Sequence, residues 1–223
     1  MSQYGLFDII GPIMVGPSSS HTAGAARLGF LAGKMAPGPI EEVNFRLHGS
    51  FAETGSGHGT DKALLAGVMG LKPADEHIRE AFALARQRGL RYSFQAVDLG
   101  DMHPNSTEIT MSGTWGQMQV LGSSIGGGAV RIIKIDGQEV DFSGDYPTLI
   151  TLHEDRPGIV AAVTEIIAQK GYNVATLKLF RQARFNEAMM VLETDEPISA
   201  DAVQAIADLS FVHKVMFLPA VEL

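Results

Sequence analysis

Residues 148–171 read TLITLHEDRPGIVAAVTEIIAQKG, and this stretch decides the fold of the carboxyl-terminal part. Thr148 to His153 alternates β-branched and apolar residues with the period of a strand. Asp155-Arg156-Pro157-Gly158 breaks it, and its Pro and Gly lead into a helix. Ile159, Val160, Val163, Ile166 and Ile167 then recur at helical spacing until Lys170-Gly171 closes the helix. Downstream, Asn173 to Arg181 and Glu187 to Thr194 read as strands joined by a hairpin. Ser199 opens a second helix carrying Ala202, Val203, Ile206 and Leu209, and Phe211 to Leu218 is a last strand. The order is βαββαβ, a ferredoxin-like split unit.

Upstream, Ser143-Gly144-Asp145-Tyr146-Pro147 places two breakers and an aspartate between strand-like runs, a linker signal. It divides the chain into residues 1–145 and 147–223. The first part is rich in glycine. Phe7 to Ile10 suggests a short strand, Ala23 to Ala36 a helix stopped by Pro37-Gly38-Pro39, and Glu42 to Gly49 a strand. Thr60 to Met69 and Asp75 to Gln87 read as helices. Tyr92 to Val97, Ser106 to Met111, Met118 to Leu121 and Ala129 to Ile135 read as strands. With strands and helices in similar number, the expected class is α+β.

The 223 residues hold 45% apolar and 19% charged residues, enough to bury a core. The net charge of -8 and the lack of a lysine–arginine block argue against nucleic acid or an anionic membrane as a partner. The longest apolar run, Ala63 to Leu71, contains two glycines and falls far short of a membrane span. Asp8 and the lack of a positive region before an apolar stretch speak against a signal peptide. With no cysteine there is no disulfide framework, zinc finger or self-contained iron–sulfur site, and a cytoplasmic location is expected.

Four constellations could carry chemistry. In Gly16-Pro17-Ser18-Ser19-Ser20-His21-Thr22, four hydroxyls and an imidazole meet the start of a helix, with Ser19 or Ser20 as the N-cap. One reading is a serine-rich cap. The other is an anion site in which the helix dipole keeps His21 neutral and able to act as a base. Gly55-Ser56-Gly57-His58-Gly59-Thr60-Asp61 reads as a glycine-rich strand-to-helix turn, in which His58 caps a backbone group or faces a ligand. It lacks the Gly-Lys-Ser/Thr of a P-loop. His103-Pro104-Asn105 is a polar turn or a contact for a carboxylate or amine. Gly126-Gly127-Gly128 is a backbone nest or a tight bend. No HxH, HxxxH or HExxH spacing occurs, so no metal ligands are expected on this chain. His48, His77, His153 and His213 carry only structural readings. A serine hydrolase using Ser20 and His21 lacks the Gly-x-Ser-x-Gly elbow. The lysines sit in no pyridoxal-phosphate motif.

The segments Gly16 to Gly24 and Gly55 to Asp61, with His103-Pro104-Asn105 and Ser124 to Gly128, resemble the beta chain of bacterial iron–sulfur-dependent L-serine dehydratase. The Asp155 to Gly158 loop in its βαββαβ context resembles an ACT domain. The resemblance covers nearly the whole chain. It implies an amino-terminal domain of the allosteric-substrate-binding type followed by an ACT domain. It also implies conversion of L-serine to pyruvate and ammonia, with a 4Fe-4S cluster held by the cysteines of a separate alpha chain. His58 and His21 are then the catalytic candidates, His58 as base and His21 in support, with the reverse assignment open. Ser18, Ser19, Ser20, Thr22, His103, Asn105, Gly126 and Gly127 are the candidates for binding substrate. Asp155, Pro157 and Gly158 would hold a regulatory ligand, and ACT domains would pair beta chains. The competing expectation is a purely regulatory module that binds L-serine and supplies no catalytic group.

Overall fold

The computed structural model describes residues 18–181 and 186–221. The expected strand over Phe7 to Ile10, and Gly16 and Pro17 of the serine-rich segment, lie outside them. The chain divides into two compact units between Asp136 and Gly137, upstream of the Ser143–Pro147 breaker.

The first unit opens with a π-helical turn, Ser19–Gly24, that runs directly into α1 (Ala25–Met35). The sequence reading began this helix later, at Ala23. β1 (Glu42–His48) follows, then α2 (Ser50–His58) and α3 (Thr60–Val68). The single helix expected over Asp75 to Gln87 is a 3₁₀ segment, Glu76–Glu80, followed by α4 (Ala81–Gln87). β2 (Arg91–Ala96), β3 (Ser106–Gly113), β4 (Gly116–Gly126) and β5 (Ala129–Ile135) complete the unit. Within it the strand order is β2-β1-β3-β4-β5. β1 and β2 are parallel, which demands the long helical crossover between them, and the other pairs are antiparallel.

The sheet buries one face. Val43, Phe45 and Leu47 alternate inward on β1, and Ile109, Met111, Met118, Val120, Val130 and Ile132 continue that surface. α1 and α3 pack at backbone distance. A Cβ at Gly29 would fall 2.2 Å from the Leu64 carbonyl oxygen, and one at Gly67 would fall 2.2 Å from that of Ala26. Apart from Arg27 and Thr60, the buried residues of the helix pair are Ala, Gly, Leu, Phe, Val and Met. This is why residues that read as a plain apolar helix are rich in glycine: the side chains are absent where the helices touch.

In the second unit β6 (Gln138–Phe142) precedes β7 (Thr148–Glu154), α5 (Ile159–Gln169), β8 (Val174–Arg181), β9 (Glu187–Thr194), α6 (Ala200–Ala207) and β10 (Val212–Leu218). The four-stranded sheet has the order β10-β7-β9-β8, with every pair antiparallel. Leu149, Met190 and Leu192 of the sheet enclose a core with Val163 and Ile167 of α5 and Ile198, Ala202 and Ile206 around α6. The βαββαβ order therefore stands. β6 was not anticipated, because a five-residue strand carrying Glu139 and Asp141 has too little apolar alternation to announce itself.

Candidate functional site

The site grows from the π-helical turn. Ser18 is the N-cap: it is extended, and its Oγ accepts a hydrogen bond from the His21 N–H at 3.2 Å. The cap expected at Ser19 or Ser20 is thus one or two residues earlier, because the helical turn already begins at Ser19. The wide first turn brings Ser18 Oγ within 3.4 Å and Ser20 Oγ within 3.2 Å of His21 Nδ1. The two hydroxyls are 3.4 Å apart. Ser19 lies between them on the same turn, half-buried.

The other edge of the His21 ring meets α2. Nε2 is 3.0 Å from Ser50 Oγ and 3.1 Å from Thr54 Oγ1. Ser50 and Thr54 are four residues apart and so share one helix face. The Thr54 hydroxyl also donates to the Ser50 carbonyl oxygen at 2.8 Å. Phe51 meets the His21 ring edge-on, at 5.4 Å between centroids. His21 is 9% exposed, and burial holds its pKa below the usual histidine value, with the nearby His58 adding to the effect and a hydrogen bond to Ser50 opposing it. The direction agrees with the expectation for His21, and burial is its largest cause.

His58 ends α2 on the exposed side, with its ring centroid 5.0 Å from that of His21. Thr22 Oγ1 donates to the His58 carbonyl oxygen at 3.2 Å and ties the two segments together. This corrects the reading of Gly55 to Asp61 as a strand-to-helix turn. Ser50–His58 is helical, and only Gly59, at φ +74°, is left-handed. The sharp turn after β1 occurs instead at Gly49, with φ +54° and no room for a Cβ beside the Pro104 carbonyl. Tertiary contact thus overrides the weak helix propensity of Gly55 and Gly57.

The His103-Pro104-Asn105 loop lies against that turn. The Phe51 N–H donates to the Pro104 carbonyl at 3.4 Å, and the Asn105 N–H to His103 Nδ1 at 3.1 Å. Asn105 also accepts, through its carbonyl, the N–H of Ser124 at 2.9 Å. Ser124 abuts the turn that carries His21, for a Cβ at Gly24 would land 2.0 Å from Ser124 Oγ. The buried Oγ of Ser124 and the buried Oδ1 of Asn105 have no hydrogen-bond partner. Gly126, Gly127 and Gly128 all have positive φ, and Gly126 pairs with Ala129 to close a two-residue hairpin. The run therefore forms the tight bend of that hairpin.

The structure therefore gathers Ser18, Ser20, His21, Thr22 and His58 directly and sets His103 and Asn105 beside α2. Sequence reasoning missed Ser50 and Thr54, whose Ser-x-x-x-Thr spacing becomes a signal only once α2 is known to be a helix.

Residues 5–134 match the family model described as serine dehydratase beta chain. The chain belongs to that family. Residues 148–211 match the ACT domain model, so the carboxyl-terminal unit is an ACT domain. The L-serine dehydratase beta chain of Peptoniphilus asaccharolyticus is 41% identical over 92% of this chain and 94% of its own length. The probable L-serine dehydratase beta chain of Bacillus subtilis is 37% identical over 96% and 98%. A D-3-phosphoglycerate dehydrogenase of Synechocystis is 26% identical over 85% of this chain but only 34% of its own. In this member of the family the described residues contain no group of three or more His, Cys, Asp or Glu able to hold a metal ion. No described helix is long and apolar enough to cross a membrane.

The ACT unit carries a concavity of its own. It is an open cleft of ≈ 700 Å³ lined by Asp155, Arg156, Pro157, Gly158, Leu179 and Arg181, among others. Gly158, at φ +92°, caps α5 and so places the expected regulatory loop at a helix amino terminus. Arg181 Nη1 is 3.3 Å from Asp155 Oδ2.

Proposed function

We propose that this chain is the beta subunit of a two-chain L-serine dehydratase, a cytoplasmic enzyme that converts L-serine to pyruvate and ammonia in a site shared with a cysteine-bearing alpha chain. Its family and its 41% identity to a named beta chain support the activity. One observation supports its part in the chemistry. His21 is buried with hydroxyls on both ring nitrogens, whereas His58, beside it, is exposed and its ring takes no hydrogen bond among the described residues.

The reaction removes the Cα proton and the β-hydroxyl of serine as water, and hydrolysis of the resulting imine releases ammonia. A base for the first step needs a free lone pair and access to the substrate. His58 has both. His21, held on both edges, acts as a positioning group for the hydroxyls around it. Ser18, Ser19, Ser20 and Thr22 orient the substrate, and His103 and Asn105 form the neighbouring rim. The 4Fe-4S cluster implied by the resemblance needs thiolate ligands, and this chain has no cysteine. Its residues do not fit the cluster, which belongs to the alpha chain.

The test is His58→Ala in the enzyme reconstituted anaerobically from both chains. A fall in kcat of about 10²- to 10⁴-fold is expected, and a near-normal kcat would sink the assignment.

The ACT cleft supports a regulatory role beside the catalytic one. Asp155, Arg156 and Arg181 offer both charges to a zwitterionic amino acid, with Pro157 and Gly158 shaping the loop. Pairing of ACT units would place two beta chains in the assembly. Calorimetry with L-serine on the isolated chain separates the shared-site reading from a purely regulatory module. Heat only after the alpha chain is added supports a shared active site. Strong binding without it, together with a normal His58→Ala enzyme, supports the sensor.

A further inference from the structure

The hydrogen bonds around His21 have a direction. The Thr54 hydroxyl owns one proton and donates it to the Ser50 carbonyl oxygen at 2.8 Å, the i to i−4 bond that a helical threonine favours. The oxygen of Thr54 also stands 3.1 Å from His21 Nε2 and has only a lone pair left to offer. A hydrogen bond between them then requires the hydrogen to sit on Nε2. In a neutral imidazole this leaves Nδ1 bare, and Nδ1 faces Ser20 Oγ at 3.2 Å and Ser18 Oγ at 3.4 Å, both able to donate.

We propose that Thr54 is a positioning residue that locks His21 in its Nε2–H tautomer and thereby turns the hydroxyl protons of Ser18 and Ser20 inward, toward Nδ1. Ser50 Oγ, 3.0 Å from Nε2, shares the same ring hydrogen. Ser18 already accepts the His21 backbone N–H, which aligns it further with the ring.

A consequence follows for ligand chemistry. With their protons committed to the imidazole and to each other, Ser18 and Ser20 present lone pairs outward. They then accept from a donor such as the ammonium of an α-amino acid and repel a carboxylate. This selectivity, and any effect on turnover, rests on the proposed L-serine dehydratase activity; the tautomer does not.

The experiment uses the full chain with ¹⁵N-labelled histidine, in which the two ring nitrogens of a fixed tautomer resonate far apart. The His21 signals are identified by their loss in His21→Gln. Wild type should show one Nε2–H tautomer. Thr54→Val keeps the shape of the side chain and removes the acceptor, and it should yield a tautomer mixture or the Nδ1–H form, because Ser50 can donate to a bare Nε2. Thr54→Ser should restore the wild-type pattern. In the reconstituted enzyme, Thr54→Val should lower kcat/KM roughly 10- to 100-fold, in keeping with the cost of a misaligned group, with Thr54→Ser near wild type.

An Nδ1–H or averaged tautomer in wild type overturns the lock. So does an unchanged tautomer in Thr54→Val, even if activity falls, since the effect is then one of packing. If the tautomer shifts as described but His58→Ala turns over serine normally, the lock stands and the catalytic reading alone fails. Circular dichroism of each variant verifies folding, and Thr54→Ser keeps the comparison interpretable should Thr54→Val unfold.

Discussion

His21 sits 9% exposed among hydroxyl groups, and its pKa lies below the ordinary 6.5, first because of burial and second because of His58. In the unfolded chain the same imidazole is free to protonate near its ordinary value. As pH falls below about 6.5 the unfolded state takes up a proton that the folded state refuses, so stability drops until the pH passes the lower folded value and then levels off. The loss of stability between about pH 7.5 and about pH 5.5 should accordingly be larger in wild type than in His21→Gln. Denaturant midpoints at the two pH values read this directly. An equal pH dependence in the two proteins would show that burial of His21 carries no proton linkage.

At the scale of elements, the packing of α1 against α3 and the helicity of α2 both turn on glycine, with opposite consequences. Gly67 has no space: a Cβ would meet the Ala26 carbonyl oxygen at 2.2 Å and the Phe30 nitrogen at 2.6 Å, both rigid backbone atoms. Gly67→Ala should force the helices apart and cost about 1–3 kcal/mol. Gly57, in the last turn of α2, has open space around it and no positive φ. Gly57→Ala should be neutral or stabilising by about 0.5–1 kcal/mol, because alanine loses less backbone entropy in a helix. Thermal or urea unfolding of the pair tests both signs. The same glycines explain what was legible. Ile159, Val163 and Ile167 announce α5 because their spacing and their burial coincide. Gly55, Gly57 and Gly59 made α2 look like a turn, since propensity points one way and the contacts of Phe51 and Gly55 with the neighbouring elements point the other. With α2 unread as a helix, Ser50 and Thr54 could not be seen as one face, and the partners of His21 Nε2 went unnoticed. Ser18, Ser20, His21 and His58 were legible because clustered hydroxyls and imidazoles stand out by residue type alone.

For the whole molecule, the position of the boundary has an energetic meaning. The breaker at Ser143–Pro147 reads as a linker, yet the contacts divide between Asp136 and Gly137, and β6 belongs with the second unit. Lys178 Nζ holds Asp141 there, at 2.8 Å to its carboxylate and 3.1 Å to its carbonyl oxygen, and the Val221 N–H donates to the Gly144 carbonyl at 2.9 Å. The ion pair is partly exposed and worth little by itself. A cut at residue 147 would also remove Val140 and Phe142, which are 3% and 2% exposed in the full chain. The second unit has its own core of Leu149, Val163, Ile167, Met190, Leu192 and Ile206, and a domain of this size folds alone when such a core is intact. A fragment of residues 137–223 should therefore melt in one cooperative transition. A fragment of residues 147–223, keeping the βαββαβ set but lacking β6, should melt at a lower temperature or without cooperativity. Equal melting temperatures would show that β6 is an appendage and that the boundary lies at the breaker read from the sequence.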